Sequence, residues 1–197
     1  MRDLVRQLED VARLLDDVGS LPPLSITFTC DGDGGPYVIL ETPNQLPLAD
    51  QRMAVDQIAA RVHAVPKVGE VLMGRYGASA RGRWEDTLVV AVTNAAPDVP
   101  GMPALPERTT TTQETADALR ALTAWAGTTE SHMDELVVTD HSRSHTVHVM
   151  TENDHAAHSL LEGLMPDTES RWHRPGRRYR ALLPTGHSLS VTVELIR

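Results

Sequence analysis

Histidines are the residues of this chain whose number and spacing best suit metal chemistry. Eight of the nine histidines follow Glu130, and a neutral imidazole nitrogen is a common ligand of zinc and related ions. His155 and His158 are three residues apart in a predicted helix, so both would lie on one helical face. With His148 in the preceding strand, they form the predicted metal site of a metal-dependent enzyme. The alternative is that they are surface and turn histidines of a polar hairpin.

The segment from residue 171 to residue 180 could bind anions. It holds five arginines and two aromatic residues in ten positions of an otherwise acidic chain. Guanidinium groups bind phosphates or carboxylates through paired hydrogen bonds, and aromatic rings stack on bases. The predicted ligand-binding residues are Arg171, Trp172, Arg174, Arg177, Arg178 and Tyr179. The alternative is a solvated strand edge whose arginines pair with carboxylates and discourage aggregation.

Motifs of catalysis are missing from the sequence. No HExxH, paired CxxC or GxSxG pattern occurs, and these spacings are typical of metal sites and of serine hydrolases. Cys30 alternates with polar residues and is typical of a small buried strand residue. We therefore expect no cofactor, and the sequence favours a non-catalytic protein over an enzyme.

The composition limits the class of protein. The 197 residues include 18 Lys+Arg and 27 Asp+Glu, a net charge of −9, and 41% are apolar, which is enough for a hydrophobic core. A single cysteine excludes an internal disulfide framework and fits a reducing compartment. No run approaches the ~18 apolar residues of a membrane span, and an acidic chain is not a general DNA coat. We expect a cytoplasmic protein that binds no membrane.

Apolar periodicity predicts the elements of the first half. Steps of three and four place one apolar stripe on a helix over residues 1–18, and Gly19 ends it. Alternation with period two predicts a strand over 24–30, which a turn joins to a second strand over 37–40. Asp50 is the predicted N-cap of a second helix, and two further strands are expected over 71–76 and 88–92.

The same order of elements recurs in the second half. Thr111 and Glu114 predict a capping box at the start of a helix that Gly127 ends. Strands follow over 136–139 and 146–150, then a helix capped by Asn153 or Asp154. Strands over 178–183 and 189–195 complete the order.

We therefore predict a tandem duplication of an α-β-β-α-β-β unit, with the first unit over residues 1–96 and the second over 111–197. The connector over 97–110 has a proline at every third position from Pro97 to Pro106, which is typical of an extended polyproline spacer.

A second basic group lies in the first unit. It consists of Arg75, Tyr76, Arg81, Arg83 and Trp84. Because this group and the segment 171–180 fall between corresponding strands of the two units, a pseudo-symmetric basic edge would result.

The layout of the second unit resembles small uncharacterised proteins of actinomycetes and of their phages and plasmids. The resemblance lies in its short helix of alanine and leucine over residues 116–122, followed by a hairpin, a helix and a final strand of valine and threonine. The excess of 17 arginines over one lysine is what a genome rich in G and C would give. The resemblance implies a cytoplasmic protein linked to a mobile element and no known activity.

The predicted fold class is α+β, with antiparallel sheets and helices packed on one face of each. The two sheets either join into one or form separate lobes. The predicted function is that of a non-catalytic adaptor that contacts another protein. The alternatives are a nucleic-acid or phosphate binder that uses the segment 171–180, and a metal-dependent enzyme that uses the second-unit histidines. The oligomeric state is left open.

Overall fold

The computed structural model describes residues 4–29, 37–43, 45–70, 76–93, 111–129, 135–141, 144–151, 154–162, 164–166, 171–173, 176–183 and 185–193. The helices in these residues are α1 (Leu4–Val18), α2 (Leu48–Arg61), α3 (Thr112–Thr129) and α4 (Asp154–Leu161). The strands are β1 (Ser25–Thr29), β2 (Tyr37–Glu41), β3 (Lys67–Glu70), β4 (Tyr76–Trp84), β5 (Thr87–Val92), β6 (Glu135–His141), β7 (Ser144–Thr151), β8 (Met165–Pro166), β9 (Arg171–His173), β10 (Gly176–Leu182) and β11 (Ser188–Val193). The fold is α+β, as predicted.

The described strands form one sheet rather than two lobes. Their order is β3-β4-β5-β2-β1-β6-β7-β11-β10-β8, and β9 pairs with β10 beside β8. The two halves of the chain meet where β1 pairs with β6, in a register that sets Thr27 opposite Val137. The sheet is therefore continuous across the two predicted units.

The prediction of purely antiparallel sheets was wrong. β2 runs parallel to β5, and β7 runs parallel to β11. In each case a long connection that includes a helix separates the two strands, α2 in the first half and α4 in the second. Such a crossover lets the chain return to the edge of the earlier strand in the same direction. The sheet is mixed.

The number of strands per unit was also underestimated. The first half contains β3 and β4 before β5, where strands were predicted only over 71–76 and 88–92; residues 71–75 lie outside the described part. β4 escapes a search for apolar periodicity because the positions that face the helices are Ala78, Ala80 and Gly82. These residues are too small to give a strong apolar signal. The second half likewise contains β8 and β9 in addition to β10 and β11.

The described helices pack on one face of this sheet. Ile26 and Phe28 of β1 are fully buried, as are their cross-strand partners on both sides. They belong to a single core cluster with residues from all four helices. The most extensive helix-to-helix contact is between α1 and α3, so α1 of the first half packs directly on α3 of the second half.

The capping box at α3 is confirmed, and the predicted cap of α2 is wrong. The backbone N–H of Glu114 donates to Oγ1 of Thr111 at 3.1 Å, and the N–H of Thr111 donates to Oε2 of Glu114 at 2.5 Å. At α2, Pro47 occupies the N-cap position. Asp50 lies instead in the first turn, where a carboxylate still favours the helix dipole.

The predicted connector over 97–110 lies outside the described residues. Among the helices of the described part, none has the length and apolarity needed to cross a membrane.

Candidate functional site

One face of the sheet lies opposite the helices. Successive strand residues point to opposite faces, and where residues of the helix face are fully buried, their sequence neighbours are only half-buried. One row of this second face runs across five central strands through pairs fixed by the register. Its members are Val90, Ile39, Thr27, Val137 and His148. We name the whole of this second face of the sheet the open face.

The apolar side chains of the open face stand apart from the core. Half-buried apolar residues that pack against the core, such as Trp84 and Trp125, belong to the helix side. Ile39, Val90 and Val137 are neither in the core nor packed against it. The centre of the open face is therefore an uncharged surface, mostly of β-branched residues, that the described helices leave uncovered.

Three basic residues lie at one end of the open face. Arg81 and Arg83 alternate in β4 with Ala80 and Gly82, which face the helices, and all of the charged side chains here are exposed. Lys67 of β3 pairs with Ser79 of β4 and so shares the same face. We name Lys67, Arg81 and Arg83 the β4 basic cluster. The sequence singled out the two arginines but missed Lys67, because β3 was not predicted.

Of the other members of that predicted basic group, the structure describes the side chain of Trp84. Trp84 packs against the core from the helix side of β4. Tyr76 begins β4, and Arg75 lies outside the described residues.

The structure describes the segment 171–180 through its backbone pairing. β9 and β10 form a hairpin in which Arg171 pairs with Arg178 and Trp172 pairs with Arg177. Tyr179 pairs with Val191 of β11. Arg174 lies outside the described residues. This hairpin forms one end of the sheet, and its binding of an anion stays a prediction.

The structure does not bring the three predicted metal ligands together. His148 is half-buried on the open face. His155 and His158 are exposed on α4, which packs against β7 and β11 from the helix side. Nδ1 of His158 lies 2.6 Å from the carbonyl oxygen of Asp154. In the part of the chain that the structure describes, no three His, Cys, Asp or Glu residues are arranged to hold a metal ion.

On the helix side, by contrast, four arginines are paired with carboxylates. Arg6 pairs with Asp86, Arg13 with Asp10 and Glu85, Arg61 with Asp17, and Arg120 with Asp16 and Asp117. The hydrogen bond to Asp10 raises the pKa of the Arg13 guanidinium above its ordinary value, and the charge of Glu85 acts in the same direction. These pairs join helices to one another and α1 to the β4–β5 turn.

The turn between β10 and β11 contains a half-buried histidine. Burial lowers the pKa of His187 below the ordinary value of 6.5. The turn is tight: the N–H of Leu183 donates to the carbonyl oxygen of His187 at 2.9 Å. Nδ1 of His187 lies 2.7 Å from Oγ1 of Thr185.

We expect the stability of the protein to fall as the pH drops below 6.5 and through the lowered pKa of His187. In that range the unfolded chain binds the proton more readily than the folded chain, so protonation favours unfolding. Urea denaturation at a series of pH values would measure this slope for the parent and for His187→Gln. The variant should show a shallower slope in that range. An unchanged slope would contradict a folded-state role for this imidazole.

Comparison with known proteins leaves the chain without an assigned family. No protein-family model matches it, and no curated protein matches it. A similar solved structure is that of TioX from Micromonospora sp. ML1, which is 11% identical. The similarity covers 82% of this chain and 100% of that chain with a TM-score of 0.22, and at that score it carries no argument about fold or function.

Proposed function

We propose that this chain is a non-catalytic binding protein whose open face contacts another protein. The observation that carries the proposal is the uncharged centre of the open face, where Ile39, Val90 and Val137 lie apart from the core. An uncharged surface at the centre of a sheet face suits contact with a second folded chain. Apolar side chains that lie together on a surface outside the core are typical of an interaction site.

The dimensions of the open face also favour a protein partner. From β4 to β10 it crosses eight adjacent strands, a span of about 34 Å at the usual spacing between strands. With about three residues of each strand on this face, the surface covers roughly 600 Å². That approaches the roughly 800 Å² that each partner contributes to a standard protein interface. A small molecule would instead be held in a concave pocket.

We further propose that the two halves of this face derive from a duplicated unit. The strand order outward from the centre is β1-β2-β5-β4 on one side and β6-β7-β11-β10 on the other, and the parallel pair falls at the same step on both sides. Counted outward from the β1–β6 pair, the register gives each position of the first half a counterpart in the second half. The matched pairs are Thr27 with Val137, Ile39 with His148, Val90 with Ser190, and Arg81 with Arg180. This correspondence supports a duplication that divergence in sequence has obscured.

Site-specific photo-crosslinking would test the proposed function. A benzophenone amino acid would replace Val90 or Val137 on the open face. Matched controls would carry it at Asp56 of α2 or Ala124 of α3, which are exposed on the helix side. Each variant would be irradiated in source cells after circular dichroism has shown that it folds. We expect a discrete protein adduct from the open-face positions and none from the controls, and mass spectrometry would identify it.

The proposal requires that adducts form from positions on the open face and not from positions on the helix side. Once the adduct is identified, the purified partner should bind Ile39→Asp at least about tenfold more weakly than the parent, because a buried unpaired carboxylate would oppose the interface. Adducts confined to helix-side positions would overturn the proposal. Nucleic-acid adducts from the open face would also overturn it and would favour the alternative nucleic-acid function.

Several other expectations stay predictions. They are nucleic-acid or phosphate binding through the segment 171–180, a metal-dependent activity of the second-unit histidines, a cytoplasmic location and the resemblance to proteins of actinomycetes and mobile elements. None of them is needed for the proposed function.

A further inference from the structure

The β4 basic cluster is an organised group of cations. Arg81 and Arg83 are two residues apart in one strand, so their positions are about 7 Å apart on the same face. Lys67 lies one strand further out, opposite Ser79, which places it diagonal to Arg81. All three side chains are exposed. An extended segment with carboxylates at alternate positions has the same spacing of about 7 Å.

Among the described residues, the cluster has no internal counter-charge, unlike four arginines of the helix side. Arg6, Arg13, Arg61 and Arg120 each pair with at least one carboxylate. Within the described residues, no ion pair involves any member of the cluster. Among these residues, Arg83 donates to the carbonyl oxygen of Asp86, at 3.0 Å. The chain has 27 Asp+Glu, yet none of those in the described residues pairs with the cluster, so it can bind an external anion.

The nearest acidic residues along the chain are held away from the cluster. Glu85 and Asp86 lie in the turn that follows β4. Arg13 binds Glu85 at 2.7 Å, and Arg6 binds Asp86. Both arginines belong to α1 on the helix side. The turn thus directs its carboxylates to α1 and away from the cations on the open face.

We infer that the protein partner docks an acidic segment on the β4 basic cluster, while an apolar surface of the partner covers the centre of the open face. This inference rests on the proposed function. Apolar residues adjoin the cluster, since Leu88 pairs with Arg83 and Val90 pairs with Arg81. Glu41 and Glu135 lie further across the same face. Their charges oppose a long polyanion running over the sheet but leave room for a short acidic segment at its end.

Fluorescence anisotropy with a defined probe would test this inference. The probe is a labelled, end-capped peptide of alternating glutamate and valine, and its control has glutamine in place of glutamate. We expect the parent to bind the glutamate peptide and the triple variant Lys67→Gln, Arg81→Gln, Arg83→Gln to bind it about tenfold more weakly. Arg52→Gln is the matched control, because Arg52 is exposed on α2 and its loss should leave binding unchanged.

Three results would overturn the inference: equal binding of the two peptides, equal loss in Arg52→Gln, or full displacement of the peptide by an equally charged oligothymidylate at lower concentration. Raising salt from about 50 mM to about 300 mM should also weaken binding. The same triple variant would be crosslinked through Val137. If it gave the open-face protein adduct as readily as the parent, the proposed function would stand and only the acidic docking segment would fall.

Discussion

Replacing Gly82 with alanine is expected to lower the free energy of unfolding by about 2–3 kcal/mol. A Cβ at this position would lie 2.3 Å from the carbonyl oxygen of Val62 and 2.7 Å from its Cγ2. The carbonyl belongs to the backbone at the end of α2, so no side-chain rotation relieves the clash. α2 would have to move away from β4, where Val62 is buried in the core. Urea denaturation and a decrease in Tm of roughly 5–10 °C would report the change.

Gly69→Ala provides a matched control for this prediction. Gly69 lies in the neighbouring strand β3, and nothing lies within 4 Å of a Cβ built on it. This substitution should leave stability within about 1 kcal/mol of the parent. If Gly82→Ala were as stable as Gly69→Ala, the close approach of α2 to β4 would be refuted.

The same close approach explains which elements the sequence could predict. α1, β1 and β2 were predictable because their buried residues are large and recur with the period of a helix or a strand. In β4 the helix-facing positions must be small to admit α2, so Ala78, Ala80 and Gly82 carry almost no periodic signal. A strand whose packing demands small residues shows no periodic hydrophobic pattern from which it could be predicted.

The order of strands depends on pairings between residues far apart in sequence. A hairpin such as β1–β2 is local, and its turn signals predict it. In the parallel pair of β2 and β5, Val38 pairs with Val89. This pairing depends on how the intervening elements α2, β3 and β4 direct the chain back to β2. Local periodicity does not contain that information. The continuity of the sheet through β1 and β6 was left open for the same reason.

The candidate surface was only partly predictable. Arg81 and Arg83 were singled out by charge alone, which needs no knowledge of the fold. Thr27 and Val137 could not be recognised as neighbours, because 110 positions separate them and only the β1–β6 register joins them. The histidines illustrate the opposite error. His148 and His155 are close in sequence, yet they lie on opposite sides of the sheet: His148 is on the open face, and His155 is on α4.

The charge arrangement depends on a buried carboxylate in α1. Asp10 is fully buried, an unusual place for an acidic residue. Oγ1 of Thr87 in β5 donates to its Oδ2 at 2.6 Å, and Nη2 of Arg13 donates to its Oδ1 at 2.5 Å. Arg13 then reaches Glu85 in the β4–β5 turn. Asp10 therefore helps to place the arginine that holds this turn to α1.

We expect Thr87→Val to lower the free energy of unfolding by about 1–3 kcal/mol, because it leaves one oxygen of a buried carboxylate without its donor. Valine has nearly the shape of threonine, so the loss is that of the hydroxyl. Thr87 is itself only 4% exposed, and water cannot replace the lost donor without opening the packing of α1 on β5. Urea denaturation at neutral pH would measure the difference.

Thr87→Ser separates hydrogen bonding from packing at this position. Serine keeps the hydroxyl that donates to Asp10 but loses the methyl group, at a cost of about 1 kcal/mol. If the hydrogen bond dominates, stability follows the order parent, serine variant, valine variant. If packing dominates, the valine variant is the more stable of the two. The second order would contradict the role of Thr87 as a donor to Asp10, and with it the account of how α1 holds the turn's carboxylates away from the β4 basic cluster.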